Sequence, residues 1–182
     1  RFYNGQFNTE SEILHLINVG SFTTNKNQTF LIDSLAILVS KSIKVELTFV
    51  GEGTKREDVQ NKVDALGLKN KVHFVGSVQE VERFLHKANL YVHAAFSEAF
   101  GLVLLEAMAA GLPVITLDGK GNRDIIEEGK SGYMLFNQDA EKFAKQIIEL
   151  WNDKKKMKEI STYAQVYAKQ YDIVPYVDKL ID

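Results

Sequence analysis

The most informative part of this 182-residue sequence is residues 90–118, LYVHAAFSEAFGLVLLEAMAAGLPVITLD. Residues 90–95 and 113–118 are short apolar runs, which predict two strands buried on both faces. Between them, residues 101–110 are rich in helix-forming residues until a glycine and a proline end the predicted helix. The stretch therefore predicts one strand–helix–strand unit with parallel strands.

The same alternation continues on both sides of this unit. We predict six strands, at residues 13–20, 44–51, 71–76, 90–95, 113–118 and 132–136. We predict helices at residues 26–40, 55–66, 79–87, 101–110 and 139–151. Repeated units of this kind connect through right-handed crossovers, so the sequence predicts an α/β fold with a doubly wound, six-stranded parallel sheet of the Rossmann-like class.

The composition changes after Trp151, where a run of lysines opens a last helical stretch. We therefore expect residues 1–152 to form the α/β part and residues 153–182 to form a C-terminal helical tail of the same domain. The first residues include neither an initiator Met nor a signal-peptide pattern. We expect the chain to be a piece of a longer protein.

Composition excludes several classes of function. The net charge of −2 supplies no basic surface for a nucleic-acid partner. The absence of Cys excludes a disulfide scaffold, a thiolate metal site and a cysteine nucleophile, and it suits a cytoplasmic protein. The spacing of carboxylates and histidines predicts no metal site. An anionic ligand would have to be held by local geometry.

Two glutamates and a helix start form the main candidate site. Glu98 falls in the turn after a predicted strand, and Glu106 lies roughly 7 to 8 Å beyond the helix start, so that one ligand could touch both carboxylates. The first amides of the helix, around Gly101, Leu102 and Val103, favour a bound phosphate. Gly101 would also let that phosphate approach the backbone closely.

A simpler interpretation treats Glu98 as an exposed turn residue and Glu106 as a solvent-facing helix residue. Apolar residues surround Glu106 on nearly every side in the sequence, and a carboxylate buried among them needs a partner. We therefore favour the functional interpretation.

This pattern resembles the retaining, nucleotide-sugar-dependent glycosyltransferases of family 4, which have the two-domain GT-B fold. The resemblance rests on the spacing of Glu98 and Glu106, with Phe100-Gly101 between them, and on the sequence EAMAAGLPVI at residues 106–115. It implies that Glu106 binds the ribose of the donor and that Glu98 lies near the donor sugar. The backbone of residues 99–103, which include Phe100, Gly101, Leu102 and Val103, would hold sugar and phosphate.

Other parts of the resemblance follow neighbouring strands. The family pattern after the first strand is Gly-Arg followed by a Lys, and both cations bind the donor diphosphate. Here the glycine is Gly20 and the lysine is Lys26, but Ser21 replaces the arginine. The resemblance makes Glu98 and Lys26 the predicted catalytic residues. The resemblance also implies that Gly51 brings the backbone close to the donor. Backbone groups near Val75 and Gly76 would read the edge of the base.

Three further residues complete the predictions for the site. Asp124 occupies the position of a family glutamate, and Arg123 could supply the positive charge that is missing at Ser21. His73 lies inside an apolar run and is expected to pack in the core. For His93 we leave two interpretations open, a core residue or part of the sugar pocket.

The resemblance implies a glycosyltransferase donor-binding domain that transfers a sugar from a nucleotide diphosphate sugar, with UDP-sugars expected first, to a glycan or lipid-linked acceptor. No metal and no cofactor are expected. An N-terminal acceptor domain would lie outside this chain, with the tail and its tyrosines, including Tyr176, packed toward it. A product such as a cell-surface polysaccharide suggests a cytoplasmic protein at the inner face of the membrane, associated through that missing half. Two alternatives stay open, a sugar-nucleotide epimerase of the same fold and a nucleotide-sugar-binding module without catalysis.

Overall fold

The computed structural model describes residue 2 and residues 11–171. Its centre is a six-stranded sheet, in which every neighbouring pair of strands is parallel. The strands are β1 (Leu14–Val19), β2 (Val45–Val50), β3 (Val72–Gly76), β4 (Leu90–His93), β5 (Val114–Leu117) and β6 (Gly132–Leu135). The predicted Rossmann-like sheet is confirmed.

Six α-helices cover the two faces of the sheet. They are α1 (Gln28–Ser40), α2 (Arg56–Ala65), α3 (Glu82–Leu85), α4 (Leu102–Ala109), α5 (Ala140–Asn152) and α6 (Lys154–Ala168). Three short 3-10 turns lie at Thr24–Lys26, Lys69–Lys71 and Lys169–Tyr171. Within the part of the chain described here, no helix is long and apolar enough to cross a membrane.

The order of the strands determines where a ligand can bind. Across the sheet the order is β3-β2-β1-β4-β5-β6. The chain builds outward from β1 to β3, returns to the other side of β1 with β4, and then builds outward in the opposite direction. The crevice between the carboxyl ends of β1 and β4 is therefore the switch point, where doubly wound folds bind their ligands.

Each face of the sheet has its own hydrophobic core. Apolar residues of α1, α2 and α5 pack on one face, and those of α3 and α4 pack on the other. Helix α6 contributes to both cores, because Met157 and Ile160 belong to the first and Ala164 and Ala168 to the second. The described part of the tail is thus packed against the α/β part. Residues 172–182, with Tyr176, lie outside the described residues.

Two expectations about local structure were wrong. The helix expected at residues 79–87 is reduced to Glu82–Leu85, because the following amides bond to carbonyls three residues back instead of four, as in Lys87 to Phe84 and Ala88 to Leu85. The His73 side chain is 52% exposed, with Nε2 lying 3.1 Å from Glu46 Oε2. His73 was expected in the core, but β3 is an edge strand and its outer residues are only partly covered.

Candidate functional site

The candidate site lies at the switch point and is built from three loops. They follow β1, β4 and β5, and short hydrogen bonds join them to one another. The amide of Phe96 donates to Asn25 O at 2.9 Å, Asn25 Nδ2 donates to Ser97 O at 2.7 Å, and the amide of Glu98 donates to Lys120 O at 2.7 Å. These bonds position the loop that carries Glu98 relative to the loop that carries Lys26.

A buried asparagine stabilises the loop after β5. Asn122 is fully buried, and its Nδ2 donates to Leu117 O at 3.1 Å and approaches Thr116 Oγ1 at 3.3 Å. A buried side-chain amide that satisfies carbonyls at the end of a strand fixes the direction in which the chain leaves the sheet. Sequence reasoning missed Asn122, since an asparagine after a glycine is common in any turn.

The centre of the site is a group of three ionisable side chains, Lys26, Glu98 and His93. Lys26 Nζ forms an ion pair with Glu98 Oε1, and the two side chains are only 16% and 12% exposed. His93 Nε2 lies 2.9 Å from the same oxygen, and the His93 side chain is 1% exposed. The two residues predicted to be catalytic therefore contact each other, and a buried imidazole that we had left undecided lies beneath them.

The surroundings determine the charges of this group. Burial disfavours ionisation of Glu98, but the contacts with His93 and Lys26 outweigh it and hold the pKa of Glu98 below its usual range. Burial lowers the pKa of His93, and the nearby Lys26 adds to that effect. The surroundings therefore favour the carboxylate form of Glu98 and the neutral form of His93.

Helix α4 begins beside Glu98. Its first hydrogen bond runs from the amide of Leu104 to Gly101 O at 2.9 Å, so the amides of Leu102 and Val103 precede the helical ladder. The side chains of Phe100 and Leu102 are 75% and 63% exposed. The start of the helix thus presents amides and apolar side chains at the rim of the crevice.

Gly101 has a structural role of its own. Its φ of 61° lies in the left-handed region, and a Cβ at this position would lie 2.9 Å from Ile125 Cγ1 and 3.3 Å from Gly121 O. Glycine is therefore required here by the backbone conformation and by packing against the loop after β5. The close approach of a phosphate to the backbone of Gly101 stays a prediction.

Glu106 lies half-buried on α4, on the same side of the fold as Glu98. Burial raises the pKa of the Tyr91 hydroxyl on β4, and the charges of Glu98 and Glu106 add to that effect. The Tyr91 hydroxyl also donates to Val19 O at 3.1 Å, which links the ends of β4 and β1. Contact of one ligand with both carboxylates stays a prediction.

A cleft of 240 Å³ lies at the carboxyl ends of β1 and β2, next to the group of Lys26, Glu98 and His93. Gly20, Ser21 and Gly51, three of the predicted donor-binding residues, line it. Gly76 lies next to the cleft and its carbonyl accepts from the amide of Gly51 at 2.9 Å. Val75 precedes it at the end of β3. The cleft brings together residues from three loops that are far apart in the sequence.

Comparison with known proteins identifies the family. The family model described as glycosyl transferases group 1 matches residues 4–167. The chain belongs to this family.

Relatives in the family share the fold and exceed this chain in length. The putative glycosyltransferase EpsD of Bacillus subtilis is 28% identical over 92% of this chain and 44% of its own length. A structure of S. aureus TarM in complex with UDP and two other ligands has a TM-score of 0.88 at 25% identity, over 100% of this chain and 37% of that one. Anabaena HepE with UDP and glucose has a TM-score of 0.85 at 25% identity, over 93% and 47%. This chain spans less than half the length of these relatives.

Arg123, another of the predicted site residues, is paired with an acidic side chain. Its Nε and one terminal nitrogen each lie 2.5 Å from a different oxygen of Asp118, while the Arg123 side chain is 64% exposed. The guanidinium holds the pKa of Asp118 below its usual range. Its charge is therefore already paired, and a contact with a donor stays a prediction.

No group of three or more His, Asp or Glu side chains among the described residues is arranged to hold a metal ion. The ion pair of Lys26 and Glu98 lies at the switch point, and Glu106 lies on the neighbouring helix α4. Together with the amides at the start of α4, they could bind a ligand that carries both hydroxyl groups and phosphates.

Proposed function

We propose that this chain is the donor-binding domain of a retaining glycosyltransferase of family 4, and that the donor is a nucleotide diphosphate sugar. The observation that carries the proposal is the Lys26–Glu98 pair at the switch point, beside the start of α4. TarM and HepE, which share the fold at 25% identity, were solved with UDP. We therefore take UDP-sugars as the first candidates.

Each part of the donor has a proposed binding group. The base lies in the cleft of Gly20, Ser21 and Gly51, close to backbone groups of residues 75–76. Glu106 accepts hydrogen bonds from the ribose hydroxyls, and the diphosphate lies between Lys26 and the amides of residues 99–103. The sugar then lies beside Glu98. The distance of roughly 6 Å along α4 between its first residue and Glu106 matches this arrangement.

The proposed chemistry is departure of the diphosphate from the anomeric carbon of the sugar and attack of an acceptor hydroxyl oxygen on the same face. The proton of that hydroxyl passes to the departing diphosphate. Positive charge develops on the sugar and negative charge on the diphosphate. A fixed ammonium and fixed amide dipoles stabilise the leaving group without reorganising, which lowers the barrier. The scheme uses no metal ion and no further cofactor.

The acceptor side of the reaction belongs to a second domain. We propose that an N-terminal domain outside this chain binds a glycan or lipid-linked acceptor and carries any association with the cytoplasmic face of a membrane. The length of the relatives supports this proposal, since EpsD extends well beyond the part that matches. The exposed Phe100 and Leu102 at the rim are suited to pack against that domain.

Binding of UDP by the 182-residue chain tests the proposal. Glu106→Gln keeps the size of the side chain and removes its charge, so hydrogen bonds to the ribose should weaken and the dissociation constant for UDP should rise about tenfold or more. Glu149→Gln, on the outer side of α5, is the matched control. Equal affinities of both variants and the unchanged chain, measured by titration calorimetry, would contradict the proposed role of Glu106.

One observation favours a nucleotide-sugar-binding module without catalysis as a second candidate. Ser21 supplies no cation, Lys26 is paired with Glu98, and Arg123 is paired with Asp118. Product analysis with UDP-glucose and acceptor, on a protein that includes the second domain, distinguishes the two candidates. Binding without transfer or hydrolysis would favour the module.

The proposed contact of Arg123 with the diphosphate has its own test. If Arg123 turns from Asp118 to the donor, Arg123→Ala should weaken UDP binding several-fold. An unchanged dissociation constant would remove Arg123 from the donor site and leave Lys26 to neutralise the diphosphate together with the helix amides.

A further inference from the structure

His93 is a buried ionisable group for which the proposed chemistry has no use. It is the last residue of β4, its side chain is 1% exposed, and its Nε2 lies 2.9 Å from Glu98 Oε1. Neither ring nitrogen makes a well-aligned hydrogen bond within the described residues. A buried imidazole with unsatisfied nitrogens is costly, so its place directly beneath a carboxylate calls for a reason.

The ring of His93 is held rigidly. It stacks on Tyr91 with 6.1 Å between the ring centroids and 25° between the planes. The Tyr91 hydroxyl is itself fixed, because it donates to Val19 O at 3.1 Å and accepts from the amide of Val19 at 3.3 Å. On the neighbouring strand, Thr116 is the register partner of His93. The imidazole is therefore held in place at the end of a strand, whereas Glu98 lies in a loop.

Glu98 is held by two groups that differ in what donor binding does to them. Lys26 and His93 contact the same oxygen, Oε1. A diphosphate at the switch point attracts the ammonium of Lys26 and repels the carboxylate of Glu98. The buried imidazole, in contrast, has no path to the diphosphate, so its contact with Glu98 persists.

We propose that His93 is a positioning residue, which keeps the Glu98 carboxylate in place when the diphosphate of the donor draws Lys26 away from it. The inference rests on the proposed function, because it assumes that Lys26 binds the diphosphate. It assigns to the end of β4 a role that the glutamate spacing alone does not indicate.

The proposed movement of Lys26 from Glu98 to the diphosphate has a measurable electrostatic consequence. The charged groups that face His93 are Glu98 and Lys26, from the loops after β4 and β1, while Glu106 acts on the neighbouring Tyr91. Lys26 lowers the pKa of His93 and Glu98 raises it, with burial as the main lowering cause. Moving the ammonium toward a diphosphate should therefore raise the pKa of His93, and Lys26→Met should raise it without any ligand.

Binding of UDP-glucose to variants of the 182-residue chain tests the proposal, because Glu98 is proposed to lie beside the sugar of the donor. His93→Leu removes the contact and keeps an apolar residue of similar size, and we expect it to raise the dissociation constant for UDP-glucose about tenfold. His93→Gln retains a donor and should stay within threefold of the unchanged chain. His15→Gln, at the opposite end of the sheet, is the control and should have no effect.

A double-variant comparison separates positioning from simple packing. If His93 acts through Glu98, His93→Leu should have less than a twofold effect on UDP-glucose binding in a chain that already carries Glu98→Gln. The same tenfold loss in both backgrounds, or an equal loss for His93→Gln and His93→Leu, would overturn the proposal.

The pKa of His93, followed by nuclear magnetic resonance of the histidine ring, gives a second readout. It should rise with UDP bound and also in ligand-free Lys26→Met. If the pKa of His93 is unchanged in Lys26→Met, the arrangement in which Lys26 and His93 contact the same oxygen of Glu98 is wrong, whether or not UDP binds. The unchanged chain could fail to bind UDP while Lys26→Met still raises the pKa of His93. That result would overturn the proposed function and the movement of Lys26 to a diphosphate, but it would leave the contacts among Lys26, Glu98 and His93 in place.

Discussion

Replacing Lys26 by Met tests the ion pair at the centre of the site. Methionine has nearly the same length and shape as the aliphatic part of lysine, so the change removes the charge with little change in packing. Glu98 would then keep His93 as a partner and lose the ammonium. The expected result is a loss of stability larger than an exposed ion pair would give.

The size of the loss follows from burial. Two unit charges about 3 Å apart attract each other by roughly 5 kcal/mol at an effective dielectric constant of about 20. Removing one partner of a buried pair costs about 3–5 kcal/mol, because the remaining charge is left without compensation. Lys26 and Glu98 are 16% and 12% exposed and His93 remains in contact, so we expect a loss at or below the lower limit of that range, about 2–3 kcal/mol. For a chain of this size the melting temperature should fall by about 5–10 °C.

The loss should also depend on pH. Lys26 is one of the causes that lower the pKa of His93, so the folded Lys26→Met variant has a higher His93 pKa than the folded unchanged chain. A folded pKa below the unfolded value of about 6.5 lowers stability as the pH falls through that region. The variant is spared part of this loss, because its His93 can take up a proton and pair with Glu98. The stability difference should therefore be smaller at pH 5.5 than at pH 8.

Urea unfolding followed by circular dichroism at the two pH values measures both effects. Lys62→Met is the matched control, because Lys62 Nζ lies 2.6 Å from Asp33 Oδ2 in a pair that is 31% and 46% exposed. We expect the control to lose less than about 1 kcal/mol at either pH. Equal losses for the two variants, or a gain in stability from Lys26→Met, would refute the reasoning.

Three further predictions concern the loops that frame the site. Gly51→Ala should destabilise the fold by about 2–4 kcal/mol in urea unfolding, because its Cβ would lie 2.1 Å from Gly20 O. Gly67→Ala is the comparison and should cost only about 1 kcal/mol, because a Cβ there would have no atom within 4 Å. Asn122→Ala should cost about 2–3 kcal/mol in the same assay, because it removes the buried amide that donates to Leu117 O and leaves a cavity in its place. Phe100→Ser should change the free energy of unfolding by less than about 0.5 kcal/mol, since the ring is 75% exposed, and a larger loss would show that the rim is packed in this chain.

The architecture was accessible from the sequence because its signals are local and repeated. Six apolar runs separated by helical segments predict a doubly wound sheet, and the observed strands fall within the predicted ranges. The buried face of α5 includes Phe143, Ile147 and Leu150, whose spacings of four and three residues are typical of one side of a helix. Errors arose where an apolar run lies at the edge of the sheet, as at His73, since periodicity does not reveal which strand is outermost.

The candidate site was accessible in part. The spacing of Glu98 and Glu106 placed both carboxylates beside one helix start, but it gave no indication that Lys26 and His93 would contact the same oxygen of Glu98. That meeting depends on the strand order, which brings β1 next to β4 although about 70 residues separate the two side chains. The packing role of Gly101 likewise depends on a loop that lies later in the chain.

The most direct test of the central claim is to map UDP onto the chain by amide chemical-shift changes in nuclear magnetic resonance. We predict that the largest changes fall at the carboxyl edge of the sheet, at Gly20, Gly76, Leu102 and Glu106, with none at the amino ends of β1 and β6. Changes confined to the opposite edge, or no saturable change with UDP, would contradict a donor site at the switch point.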